Sequence, residues 1–156
     1  MVHEYRFRNL WWLAASADRV FDALVDLEAY PLWWPHIREV SKVDDDTAEL
    51  VCRSVLPFEL VVRMTRAEQD QRAGRVRVNL SGDLEGWLGG VITRDARGTR
   101  LEIVQHVVAH KKLLRRLAFV ARPVWLANHE LMMRGGRRGL HRYLSSANSP
   151  DSPPDR

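Results

Sequence analysis

Cysteine is almost missing from this chain: Cys52 is the only one in 156 residues. One thiol can form no internal disulfide and cannot hold a metal by itself, and such a chain is expected in the cytoplasm. Long apolar runs are missing too. No stretch approaches the roughly 20 residues that cross a bilayer, so an integral membrane protein is not expected. The opening MVHEYRFRNLWW carries charges where a secretory signal would be apolar. The sequence has no GxGxxG, GxxxxGK[ST], HExxH, CxxC or GxSxG. Nucleotide-phosphate, zinc and nucleophile-elbow chemistry therefore lack their usual signatures. The six histidines do not gather at ligand spacing. His106 and His110 lie on a strand-like run about 13 Å apart by the strand rise, too far to share an ion. Neither a metal nor a cofactor is expected.

What is present is enough for a core. Hydrophobic residues make up 46% and charged residues 28%, and one domain of this length removes roughly 70% of its unfolded surface from water. The charge is uneven. Residues 1–110 hold 14 Lys/Arg against 17 Asp/Glu, whereas residues 111–142 hold nine basic residues against Glu130 alone. A basic block raises nucleic acid or an anionic membrane surface as partners, and a solvated helix face as the plainer reading. Only Phe119, Trp125 and Tyr143 stand among those nine as stacking platforms, and the last two fall on an apolar stripe. Nucleic acid is therefore not an expected partner, and any contact with an anionic membrane should be weak. The oligomeric state stays open.

Residues 2–14 alternate, with Tyr5, Phe7, Trp11 and Leu13 opposed to Glu4, Arg6 and Arg8, which predicts a half-buried strand. Ser16 can cap a helix over 17–27, whose stripe is Val20, Phe21, Ala23, Leu24 and Leu27. Tyr30-Pro31 and Trp34-Pro35 break the chain, leaving a second short helix or turn at 28–35. From 37 to 110 strand follows strand, punctuated at Asp44-Asp45-Asp46, Pro57, Arg72-Ala73-Gly74 and Ala96-Arg97-Gly98. Gly89-Gly90 suggests a bulge or a close backbone approach. Residues 113–144 read as a long helix, kinked or split at Pro123. The Ser/Pro/Asp/Asn-rich segment 145–156 reads as a disordered tail behind a single domain over 1–144. The order β, two short α, antiparallel β, long α predicts an α+β fold: a curved sheet of six to seven strands. Only the last helix is long enough to cover its concave face, and incomplete filling there would leave a cavity.

The stretch Ala17-Asp18-Arg19-Val20-Phe21-Asp22-Ala23-Leu24-Val25-Asp26-Leu27-Glu28-Ala29-Tyr30-Pro31, followed by Trp33-Trp34-Pro35, resembles the opening of the START-like helix-grip superfamily. Within it, the chain is similar to the polyketide cyclase/dehydrase and lipid-transport family. The segment Arg122-Pro123-Val124-Trp125 to Asn128-His129, then Met133, Gly136 and Leu140, resembles the family's closing helix. The resemblance implies an internal hydrophobic cavity that binds an aromatic, polyketide-like or lipid-like small molecule. One alternative within it is a polyketide cyclase/aromatase. Another is a quinone-chaperone or ribosome-associated protein that uses the basic C-terminal helix. The superfamily hosts enzymes, carriers and sensors, so whether this chain is an enzyme stays open.

Trp33 and Trp34 either pack in the core or supply one ring to the cavity mouth, because adjacent residues on an irregular segment cannot both point inward. Trp87, beside Gly86, Gly89 and Gly90, either fills core or meets a ligand. Asn128 falls on the apolar stripe with Trp125 one turn before and Met132 one turn after. A buried amide there must be bonded to the fold or to a ligand. Met132 suits an apolar ligand of variable shape, or a gap in the core. His106 and Arg53 are the candidates for catalysis. Should His106 face inward it is an acid/base near neutral pH, and Arg53 could polarise a polyketide carbonyl.

Overall fold

The computed structural model describes residues 4–53, 59–109 and 122–146. Strand β1 (Glu4–Leu13) leads into helix α1 (Ala17–Val25), a 3-10 turn (Leu27–Ala29) and helix α2 (Tyr30–Trp33). Six strands follow: β2 (Ile37–Lys42), β3 (Thr47–Cys52), β4 (Leu60–Asp70), β5 (Arg75–Gly82), β6 (Leu84–Asp95) and β7 (Gly98–Ala109). Helix α3 (Arg122–Ser146) comes last. All seven strands form one antiparallel sheet in the order β1-β7-β6-β5-β4-β3-β2. Strands β2 to β7 thus run as a meander, and β1 returns to pair with β7 from Glu4 opposite Val108 to Leu13 opposite Thr99. The α1–α2 segment crosses from one edge of the sheet to the other.

Local chemistry accounts for the punctuation. Ser16 caps α1 by accepting from the Arg19 amide at 3.3 Å, with Asp18 in the first turn. Gly74 turns β4 into β5 at φ +68°, a conformation open to glycine, and a Cβ there would lie 2.4 Å from the Ile92 carbonyl oxygen. Bulges fall in β2 between Ile37 and Glu39 and in β4 between Arg66 and Glu68. Gly89 and Gly90 are not a bulge, since they pair in unbroken register with Arg77 and Val76. They mark a close approach instead: a Cβ on Gly90 would sit 3.1 Å from Val76 Cγ2.

Pro123 is the second residue of the described helix, so the expected kink or split there falls at the edge of the described residues. The part of the expected 113–144 helix that precedes Arg122 lies outside the described residues. The helix also runs to Ser146, two residues past its expected end, and the remainder of the expected tail (147–156) lies outside them too.

Two apolar clusters hold the layers together. The larger joins Trp11, Val20, Phe21, Trp33, Leu101 and Leu140 under α1, α2 and the C-terminal half of α3. The smaller joins Leu60, Val62, Leu80, Leu84, Val107 and Trp125 at the other end of the sheet. This is the helix-grip α+β architecture. Residues alternate across β7, with Leu101, Ile103, Gln105 and Val107 on the concave face, which settles a strand with apolar residues on both faces in sequence.

Candidate functional site

Between sheet and helix lies a cavity of about 330 Å³. Its floor is the concave face of β4 to β7, from Val62 and Met64 through Val78, Leu80 and Leu88 to Ile103. Its roof is α3, which contributes Trp125, Asn128, His129, Met132 and Met133. Phe7 and Trp11 close it on the β1 side, and Tyr30, Trp33 and Trp34 at the α2 end.

Trp33 and Trp34 both reach the cavity, so the expectation that only one could do so is overturned. Trp33 ends α2 and Trp34 caps it. Successive helical residues are separated by about 100° rather than the 180° of a strand, and the two rings stack at 5.4 Å and 21°. The Trp34 indole Nε1–H donates to the Met132 carbonyl at 2.8 Å, which ties α2 to α3. Glycines make the crossing close. A Cβ on Gly136 would meet Trp34 at 2.7 Å, and one on Gly139 would meet the Trp33 carbonyl oxygen at 1.4 Å.

Asn128 is 2% exposed. Its Nδ2 donates to the Met132 thioether at 3.8 Å, so the polar residue and the soft one flagged in the sequence are neighbours on the roof. Trp125 is buried beside them, with its indole N–H lacking an acceptor. His129 stacks on Phe7 with ring centroids 3.5 Å apart and 14° between planes. Its Nε2–H donates to Gln105 Oε1 at 3.0 Å. Burial pushes this imidazole down to about 4 from its ordinary 6.5, against a small upward pull from Glu130, so the ring is neutral at physiological pH. Burial also raises the Cys52 thiol to about 11, leaving it protonated. The Tyr30 hydroxyl donates to the Leu24 carbonyl at 2.6 Å, and burial raises its pKa.

Three sequence candidates stand elsewhere. Trp87 faces the convex side of the sheet, where the Arg77 guanidinium lies 4.3 Å over its ring. The glycines next to it suggested room for a ligand, but strand alternation turns Leu88 inward and Trp87 outward. His106 is opposite Trp87 in the β6–β7 register and bonds Glu4 on the same outer face, a hydrogen bond that holds the Glu4 carboxyl below its usual range. Arg53 is exposed after β3, 4.0 Å from Glu59. Neither candidate for catalysis lines the cavity. The sequence reading missed Gln105 and gave His129 no role at the site. The signal was the phase of 101, 103, 105 and 107, which the ambiguous faces of that strand concealed.

The outer face of α3 carries exposed Arg134, Arg137, Arg138 and Arg142, with Arg134 paired to Glu130 at 3.4 Å. Among the described residues no helix is long and apolar enough to cross a membrane, and no group of three His, Cys, Asp or Glu could hold a metal ion.

The family model described as polyketide cyclase/dehydrase and lipid transport matches residues 13–107. Among solved structures, the chain is similar to the ZhuI aromatase/cyclase from Streptomyces sp. R1128. That match has a TM-score of 0.73 and 16% identity over 94% of this chain and 97% of that one. A START superfamily protein from Mycobacterium smegmatis matches with a TM-score of 0.68 and 17% identity, over 94% and 99%. A conserved protein from Geobacillus kaustophilus matches with a TM-score of 0.74 and 8% identity, over 93% and 97%. No curated protein sequence matches the chain. At these identities the solved structures speak for the fold alone, while the family model spans more than half of the sequence, from the last residue of β1 through the α1–α2 crossing and the meander into β7. On that match, the chain belongs to the polyketide cyclase/dehydrase and lipid transport family, with a START-like helix-grip fold.

Proposed function

We propose that the protein binds a hydrophobic small molecule, aromatic, polyketide-like or lipid-like, in the cavity between its sheet and α3. Trp33, Trp34, Trp125, Asn128 and Met132 act as contact residues in a single ligand-binding domain. The observation that carries this is the cavity itself: about 330 Å³, within the range of small-molecule sites, with Gln105, Asn128 and His129 set among apolar and aromatic walls. Membership of the family and the fold shared with an aromatase/cyclase support the ligand class. Binding is favoured over cyclisation because His106 and Arg53, the two sequence candidates for acid/base work, lie away from the cavity. In this reading the arginines on the outer face of α3 are a solvated surface, and nucleic acid is not a partner.

Four of the six tryptophans (11, 33, 34 and 125) line the cavity, so a bound chromophore should quench most of the indole emission. Titration with an anthraquinone or a fluorescent fatty acid is expected to quench saturably. Gly90→Leu, which places a side chain on the cavity floor, should weaken the effect. Unsaturable or absent quenching across a broad ligand panel would remove the proposal.

A further inference from the structure

We infer that His129, held by Gln105, is the specificity element of this cavity, and that it selects an uncharged aromatic ligand bearing a hydroxyl group. The inference rests on the binding reading above and adds which group on the ligand is read and by what. Three observations meet at one place. His129 and Gln105 come from opposite walls, α3 and β7, and are joined by a hydrogen bond of 3.0 Å. With Gln105 Oε1 taking the Nε2 proton, the tautomer is set and Nδ1 remains the acceptor of the ring. One helical turn earlier, the Trp125 indole N–H is buried without an acceptor. A hydroxyl both donates and accepts, so it can satisfy an imidazole nitrogen and an indole N–H together. A hydrocarbon satisfies neither, and a ketone lacks the proton that Nδ1 requires.

Charge separates this ligand from an acid. Gln105, Asn128, His129 and Trp125 supply no positive charge, because the imidazole is neutral. Among the charged residues bordering the cavity, Asp26, Glu28, Asp44 to Asp46 and Glu68 outnumber Lys42, Arg66 and Arg77, and all but the half-buried Glu68 are exposed. A carboxylate drawn into the apolar part would lose its hydration with no cation to replace it. Shape argues in the same direction: the Phe7–His129 stack and the Trp33–Trp34 stack present flat aromatic surfaces on two sides, which favour a planar ring.

Three probes of one shape test this: naphthalene, 2-naphthol and 2-naphthoate, titrated against tryptophan emission at pH 7.5. The naphthol should bind about tenfold more tightly than naphthalene, the gain expected of one well-made buried hydrogen bond, and the naphthoate more weakly than naphthalene. His129→Phe keeps the stack on Phe7 and should bring the ratio of naphthol to naphthalene affinity, measured within the variant, down to about one. Gln105→Leu, which frees the ring without touching the stack, should do the same in part. Equal affinities for naphthol and naphthalene in the wild-type protein, or a preference that survives His129→Phe, would overturn the assignment while leaving the cavity a binding site. Failure of all three probes to bind would remove the binding reading itself, and the assignment with it.

Discussion

Protonating His129 should destabilise the fold, and the size of the effect follows from its surroundings. The ring is buried between Phe7 and Gln105, and burial lowers it to about 4 from 6.5. Above pH 6.5 the residue is neutral in folded and unfolded chains alike, and it contributes no pH dependence. Between 6.5 and about 4 the unfolded chain takes up a proton that the folded one refuses, so stability falls as the pH falls. Below about 4 both states carry the proton and the loss is complete. A depression of this size is worth about 3 kcal/mol, a large fraction of the 5–15 kcal/mol that holds an ordinary domain together. Carboxylates contribute to acid destabilisation too, and Glu4 and Asp44 are both held below their usual range. His36 is lowered by its own burial. The measurement is therefore a difference: urea unfolding of the wild type and of His129→Phe at pH 7.5 and at pH 4. The variant should gain about 3 kcal/mol relative to the wild type over that interval. Parallel pH profiles for the two proteins would refute the burial argument.

Two substitutions test the packing around the cavity. In an exposed helix Gly→Ala gains about 1 kcal/mol, but Gly139→Ala would drive a methyl into the Trp33 carbonyl oxygen, so thermal unfolding should show a loss of about 3 kcal/mol; a raised Tm would contradict the close crossing of α2 and α3. Trp125→Phe removes a buried N–H that has no acceptor while retaining an aromatic ring, so chemical unfolding should place it within about 1 kcal/mol of the wild type, and a loss above about 2 kcal/mol would mean that the indole N–H serves the fold.

The sequence made the elements legible wherever one face is apolar and the other charged. Strand β1 alternates because its even positions, Glu4, Arg6 and Arg8, face solvent while Trp11 and Leu13 are buried. The roof of the cavity was legible for the same reason: Trp125, Asn128 and Met132 recur at helical spacing, and the structure brings all three to the cavity. Trp87 was misplaced although Glu85, Thr93 and Asp95 share its phase and stand exposed; the glycines between them pointed to room for a ligand and outweighed that marker. In β7 Val104 and Val108 stand on the outer phase with Glu102 and His106, and Gln105 stands on the inner one, so both faces mix apolar and polar residues and the inward set was hidden, Gln105 among it. The bond between His129 and Gln105 spans α3 and β7, and no spacing rule within a single element could have revealed it.

The close crossing and the open cavity are two ends of one arrangement. Toward its C-terminus α3 offers Gly135 and Gly136 to the rings of His36 and Trp34 and Gly139 to the Trp33 backbone, and the absence of three side chains allows the close approach. Toward its N-terminus the residues lining the cavity are Trp125, Asn128, His129 and Met132. Two aromatic anchors fix the helix: the bond from Trp34 Nε1–H to the Met132 carbonyl ties it to α2, and the Phe7–His129 stack ties it to β1. Family membership accounts for the presence of a cavity. Its depth and its polar corner follow from where this particular helix places its glycines and where it places its rings.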